Sequence, residues 1–256
     1  MKIKAFVKNI LWRHQNLGIQ KTEFGTKLRI NSFIDHLVYK EIFTDKIYDE
    51  YINHALKKCM DNNESKKILD LGANLGFFSI RCCEIWCQIG SKAKIDFVLF
   101  EPSENCIDRL KANLKGFASN NFSFDIHNKL VGKKNGWDWF IEDRDHHIGQ
   151  CVSKRIEKKG KRYSRKVEYS DLTKDLEFST IELIKCDIEG SEIEFFKNYS
   201  ISLSNVNSII IETHEYEAKD FVCKKMKEIG FTSYKDIRED IKSKYCNLFF
   251  INNKCI

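Results

Sequence analysis

The chain alternates between near-continuous apolar runs and stretches of helical period. Ile68-Leu69-x-Leu71, Ile95–Phe100, Ile181–Cys186 and Ser208–Ile211 read as strands buried on both faces of a parallel sheet. Amphipathic helical patterns follow them: one after Gly76, one from the Glu101 region to about Lys115, one over Ser191–Tyr199 and one over Tyr216–Ile229, stopped by Gly230. An earlier helix is expected from Thr44 or Asp45 to Lys58, with Ile47, Tyr48, Tyr51, Ile52, Ala55 and Leu56 on its apolar face. Phe122–His127 alternates as a strand and is expected to continue into Leu130-Val131-Gly132. Phe231–Ile237 and Tyr245–Asn252 read as a closing antiparallel hairpin. Between them, Trp137–Tyr169 breaks into short alternating runs and reads as a β-rich insertion. These elements predict an α/β protein with a doubly wound, Rossmann-like sheet, mostly parallel with a C-terminal antiparallel hairpin. Residues 1–40, basic and aromatic without a clean period, are expected to cap the mouth of a main domain spanning 41–256.

The most informative stretch is the end of the first apolar run, Asp70-x-Gly72-x-Asn74-x-Gly76. A glycine turn between a strand and a helix lets a ligand or a crossing backbone approach closely, and it presents the helix N–H groups to an anion. The next strand ends in Glu101-Pro102-Ser103, where a carboxylate is placed to accept hydrogen bonds from both hydroxyls of a ribose. The spacing differs from the G-x-G-x-x-G of dinucleotide enzymes and is similar to that of class I S-adenosylmethionine-dependent methyltransferases.

Composition narrows the setting. With 256 residues, 42% hydrophobic and 31% charged, the chain is long enough for one large globular domain. The net charge of +6 permits an anionic partner without requiring one. The 10 cysteines are scattered with no C-x-x-C pair, which argues against zinc and for reduced core thiols. No apolar run approaches the roughly 18 residues of a membrane span, and Lys8 interrupts the N-terminus before a leader could build up. The expectation is a cytoplasmic protein. Its oligomeric state is not legible.

Leu183-Ile184-Lys185-Cys186-Asp187-Ile188-Glu189-Gly190-Ser191-Glu192, together with the glycine turn and Phe100-Glu101-Pro102-Ser103, resembles the FkbM family of S-adenosylmethionine-dependent methyltransferases. Glu168–Leu172, Ile211-Glu212-x-His214 and Asn247–Phe250 fit the same pattern, so the resemblance covers roughly residues 40–252. Leu130 departs from it, standing where such proteins usually have alanine. The resemblance implies methyl transfer to a hydroxyl of a sugar, glycan or sugar-bearing metabolite, with S-adenosyl-L-methionine as cofactor. The expected cofactor residues are Asp70, Gly72, Ala73, Asn74, Gly76, Glu101, Pro102, Ser103 and Asp187. Asp187, Glu189 and His214 are the expected catalytic groups, with His214 as a general base. Asp187 and Glu189 also suit ordinary helix capping.

No metal is assigned, although Asp187 with Glu212 or His214 has the donor types for a divalent cation. Two other readings were weighed. Nucleic-acid base methylation usually needs a proline-rich motif after the fourth strand, and the sole proline is Pro102. A non-catalytic nucleotide-binding module would not require the turn, Glu101 and Asp187 together. The acceptor is expected to be a small molecule or glycan, with anionic character suggested by the basic run Ser153–Lys166; a solubilising hairpin is the plainer explanation of that run. His146 and His147 carry no distinguishing signal beyond their place in the insertion.

Overall fold

The computed structural model describes residues 16–57, 65–118, 121–143, 150–152, 162–173, 176, 180–236 and 246–255. A hairpin of β1 (Gly18–Lys21) and β2 (Lys27–Ile30) leads to α1 (Phe33–Tyr39), a π-helical turn over Lys40–Thr44, and α2 (Asp49–Lys57). Next come β3 (Lys66–Leu71), α3 (Phe77–Ile89), β4 (Ile95–Phe100), α4 (Glu104–Leu114) and β5 (Phe122–His127). Three further strands follow, β6 (Trp137–Asp143), β7 (Gln150–Val152) and β8 (Arg162–Glu168). The chain then runs through β9 (Ile181–Cys186), α5 (Glu192–Tyr199), β10 (Val206–Thr213), α6 (Tyr216–Glu228), β11 (Phe231–Asp236) and β12 (Cys246–Asn252).

Seven strands form the central sheet in the order β11-β12-β10-β9-β3-β4-β5. This is a class I, Rossmann-like, doubly wound sheet. Successive residues of β3 serve opposite faces: Ile68 joins Ile80, Trp86 and Phe249, whereas Leu69 and Leu71 join Ile184, Phe195 and Val222. That two-sided burial is why the strand reads as a solid apolar run. The strand order reverses between β3 and β9, so a crevice opens beyond their carboxyl ends. β12 pairs antiparallel with both β10 and β11. Only β12 is therefore reversed, and β11 at the edge runs with the parallel set.

Two boundaries differ from expectation. The helix predicted from Thr44 begins at Asp49, because the chain first makes the π-helical turn that buries Ile42 and Phe43. The strand predicted to continue to Gly132 leaves the sheet after His127, and Leu130 bridges Tyr169 instead. β6 pairs antiparallel with β7 and β8 in a separate sheet, whose small core joins Phe140 and Val167 to Leu130 and Tyr169.

The N-terminal hairpin is joined to the body by apolar and polar contacts. Leu28 and Ile30 are fully buried, and the Thr22 and Thr26 hydroxyls donate to Glu84 at 2.5 and 2.6 Å. Cys82, Cys83, Cys106, Cys186 and Cys246 are buried free thiols. Among the described residues, no helix is long and apolar enough to cross a membrane. Residues 1–15 of the expected cap, the His146–His147 loop, Ser153–Lys161, Ile237 and Tyr245 lie outside the described residues.

Candidate active site

The turn after β3 is held by backbone contacts that explain its composition. Gly72 has φ +80°, and a Cβ there would stand 1.8 Å from the carbonyl oxygen of Asp187. Glycine is required because the backbone leaving β9 crosses directly over the turn. Gly76, at φ +77°, would push a Cβ to 2.5 Å from the Leu110 side chain and lines neither cavity described below. A glycine there permits close packing of α3 on α4. Asn74 adopts φ 49°, which turns its N–H toward Glu101 Oε2 at 2.7 Å.

Glu101 closes the other side of the crevice. Its second oxygen accepts the Ser103 N–H at 2.7 Å. Burial pushes its carboxyl up to about 7, against the pull of the Ser103 and Asn74 N–H groups. Around it a cavity is lined by Gly72, Asn74, Pro102, Leu130, Val131, Phe140, Asp187, Ile188 and Glu189. Apolar walls with a few polar groups are the usual lining of a small-molecule site. Leu130 supplies an apolar wall opposite Glu101, together with Phe140 from the insertion sheet. Ser103 faces away from the cavity, its hydroxyl 3.4 Å from Glu142.

Asp70, expected among the cofactor residues, is fully buried beneath the turn and lines neither cavity. It accepts the Ser79 hydroxyl at 2.7 Å and lies 3.9 Å from Lys185. Its influence on a ligand therefore passes through Lys185, whose ammonium donates to Gly72 O at 2.9 Å and Asp187 Oδ2 at 3.0 Å. Burial opposes the charge on Lys185, yet the Asp187 and Asp70 carboxylates hold its pKa above the usual lysine value. The sequence pattern contained Lys185 but gave it no role, because the pairing with Gly72 spans two strands.

A second, larger cavity opens on the other side of Asn74, Asp187 and Glu189, which line both spaces. Ala73, Lys185, Glu212 and His214 form its floor, and residues from α1 to α3 form its wall. Glu189 reaches the seam because it and Gly190 both take positive φ, 51° and 94°. For glutamate this conformation costs on the order of 1–3 kcal/mol, a strain that concentrates at functional sites. Burial, then the Asp187 charge, raises the Glu189 pKa. Glu212 is pushed up to about 8 by burial and by Asp187.

His214, the expected base, stands among three acids. Its Nδ1 lies 2.8 Å from Glu192, and its Nε2 lies 3.3 Å from Glu189 and 3.7 Å from Asp187. Burial works against the charged ring, but the Glu192 hydrogen bond and the three carboxylates prevail and raise it to about 9. The charged ring is a counter-ion to these acids. Its folded pKa exceeds the usual 6.5, so its stabilising effect is complete below pH 6.5 and lost as pH rises through about 9. Thermal melts from pH 7 to 10 should show a decline that His214→Gln flattens; parallel profiles for the two proteins would contradict this role.

Asp187, Glu212 and His214 bring donor atoms within 4.8 Å of one another. The spacing suits a divalent cation, and Lys185 stands 3.0 Å from one of these carboxylates, Asp187.

The described end of the basic run is partly structural. Arg165 donates from Nε to Glu142 at 2.7 Å and from a terminal nitrogen to the Pro102 carbonyl. Lys166 stands 3.6 Å over the Trp137 ring. The Glu142–Arg165 pair fastens the insertion sheet to the Glu101–Ser103 corner, a contact between distant segments that the sequence did not signal.

Comparison with known proteins matches residues 70–242 to the family described as "Methyltransferase FkbM domain". A methyltransferase of Sordaria araneosa, sdnD, is 28% identical over 212 residues, covering 70% of this chain and 74% of that protein. Among solved structures, an FkbM methyltransferase from Methylobacillus flagellatus KT is 15% identical with a TM-score of 0.49. That alignment covers 96% of this chain and 60% of the other. Magnesium protoporphyrin IX methyltransferase from Synechocystis PCC 6803, with bound S-adenosylmethionine, aligns at 11% identity and TM-score 0.45 over 87% of this chain and 85% of its own.

Proposed function

The chain belongs to the FkbM methyltransferase family, and on that premise we propose that it transfers a methyl group from S-adenosylmethionine to a hydroxyl oxygen of a sugar or sugar-bearing metabolite. The observation that carries the site assignment is the seam at Asn74, Asp187 and Glu189, shared by the cavity beside Glu101 and a larger second space. When bound, S-adenosylmethionine supplies an electrophilic methyl on a sulfonium. Transfer breaks the carbon–sulfur bond, forms the oxygen–carbon bond and leaves a neutral thioether, while the hydroxyl proton must pass to a base.

In this assignment Glu101 accepts both ribose hydroxyls, and Leu130, Val131, Phe140 and Ile188 enclose the base. Gly72, Ala73 and Asn74 border the methionine end, with Asp187 held in place by Lys185. Glu189 is the group best placed to take the proton, because it reaches the seam and burial makes it more basic than an ordinary carboxylate. Asp187 orients the acceptor hydroxyl, and His214 keeps the carboxylates together. In-line displacement depends on that alignment.

The direct test is transfer of radiolabel from S-adenosylmethionine to a panel of sugars, glycosides and nucleotide sugars, with and without EDTA. Label on oxygen that survives EDTA supports the reading, whereas label only on nitrogen or carbon acceptors refutes it. With an active acceptor, Glu189→Gln and Asp187→Asn should each lower kcat by roughly tenfold or more while cofactor affinity holds. Full turnover in Glu189→Gln would move the proton acceptor to Glu212 or to water.

A further inference from the structure

α1 fully buries Asp35 and packs Val38 and Tyr39 partly against the core, whereas Phe33 and Leu37 are 54% and 42% exposed. The orientation is built in. Asp35 is held by Arg109 of α4 at 2.5 Å, accepts the Asn31 N–H at 2.7 Å and takes part in the Ser32 cap. The charged face is locked onto the helix that follows Glu101, which leaves Ile34, Leu37 and Val38 facing the second cavity. An apolar surface held open over a polar floor marks a binding site.

The floor is of the opposite character. Glu41, Asp187, Glu189 and Glu212 bring four carboxyl groups to the same space, where they offset the positive Lys185 and His214. No surplus of positive charge is left there to hold a negative group on the acceptor. We infer that the acceptor is an uncharged amphiphile, its apolar body seated on Ile34, Leu37 and Val38 and its hydroxyl at Glu189. The inference rests on the methyl-transfer reading above and names the substrate class for that site. It replaces the anionic acceptor suggested by the basic run.

Octyl glucoside, a neutral sugar with an apolar tail, is a direct probe below its micelle concentration. Calorimetry on protein saturated with S-adenosylhomocysteine would compare it with methyl glucoside and with UDP-glucose. Octyl glucoside should bind about tenfold or more tighter than either, since tail carbons leave water on α1. Leu37→Asp, at an exposed position that tolerates a polar side chain, should remove that advantage while leaving S-adenosylhomocysteine affinity unchanged. Val38→Ser gives a milder version of the same loss. Absence of saturable octyl glucoside binding, equal binding of the two glucosides, tighter binding of UDP-glucose, or an unchanged tail preference in both variants would each overturn the inference. Failure of S-adenosylhomocysteine itself to bind would instead count against the methyltransferase reading, and the same titrations on unloaded protein would still decide the seat on α1.

Discussion

Gly72→Ala is expected to lower stability by roughly 2–6 kcal/mol, the sum of a left-handed conformation and an overpacked contact. The residue sits at φ +80°, and its new Cβ would lie 1.8 Å from Asp187 O and 2.9 Å from Asp187 C. Neither atom belongs to a flexible side chain, so relief requires β3 and β9 to move apart at the point where they pair. Gly90→Ala is the matched control. That glycine has φ +78° but nothing within 4 Å of the added carbon, so it reports the conformational cost alone. Urea unfolding of the two variants separates the effects. If Gly72→Ala unfolds at the same midpoint as Gly90→Ala, the crossing backbone is not what demands glycine at the turn. The expected consequence for activity is equally direct, because Asp187 and the turn border the same seam and cannot shift independently.

The second large effect is expected at Glu101. In the proposed complex its carboxylate accepts two ribose hydroxyls in a buried setting, so Glu101→Ala should weaken S-adenosylmethionine by on the order of 2–3 kcal/mol. The pH dependence provides a sharper signature. The free carboxyl is pushed up to about 7 by burial, and a bound ribose requires the ionised form. Binding should therefore release a proton, and affinity should fall as pH drops through 7. For one such group the dissociation constant should rise about tenfold between pH 8 and pH 6. Glu101→Gln should bind weakly at every pH and lose the slope. Calorimetry in buffers of different ionisation enthalpy would measure both the constant and the proton. A flat pH profile for the unaltered protein would remove Glu101 from the ribose.

The two variants probe different links in one chain of cause. Gly72 governs whether β3 and β9 can deliver their ends to the same point, whereas Glu101 governs what a ligand meets there. Arg165 and Glu142 connect the second of these to the insertion sheet, because the guanidinium reaches the Pro102 carbonyl beside Glu101.

The order of β and α elements was legible because each buried strand is apolar on both faces and each helix carries its own period, so local pattern and global position agree. The glycine turn, Glu101 and the Lys185–Glu192 stretch were legible for the same reason: each lies within a few residues of a strand end, where sequence spacing fixes spatial placement. Where Asp70 and Gly76 face was not legible, since a carboxylate at a strand tip can point to ligand or to core, and a glycine can admit a ligand or a neighbouring leucine. The sequence equally could not tell whether His214 is a base or a counter-ion. That depends on three acids from the β9–α5 segment converging on one ring, and the resulting pKa is a property of their mutual distances. The proposed seat on α1 was hidden more thoroughly, because the pairing of Asp35 with Arg109 that orients this short helix spans 74 residues. Local composition determined the sheet and the cofactor turn; long-range packing alone decided which carboxyl groups share the seam and which apolar side chains face it.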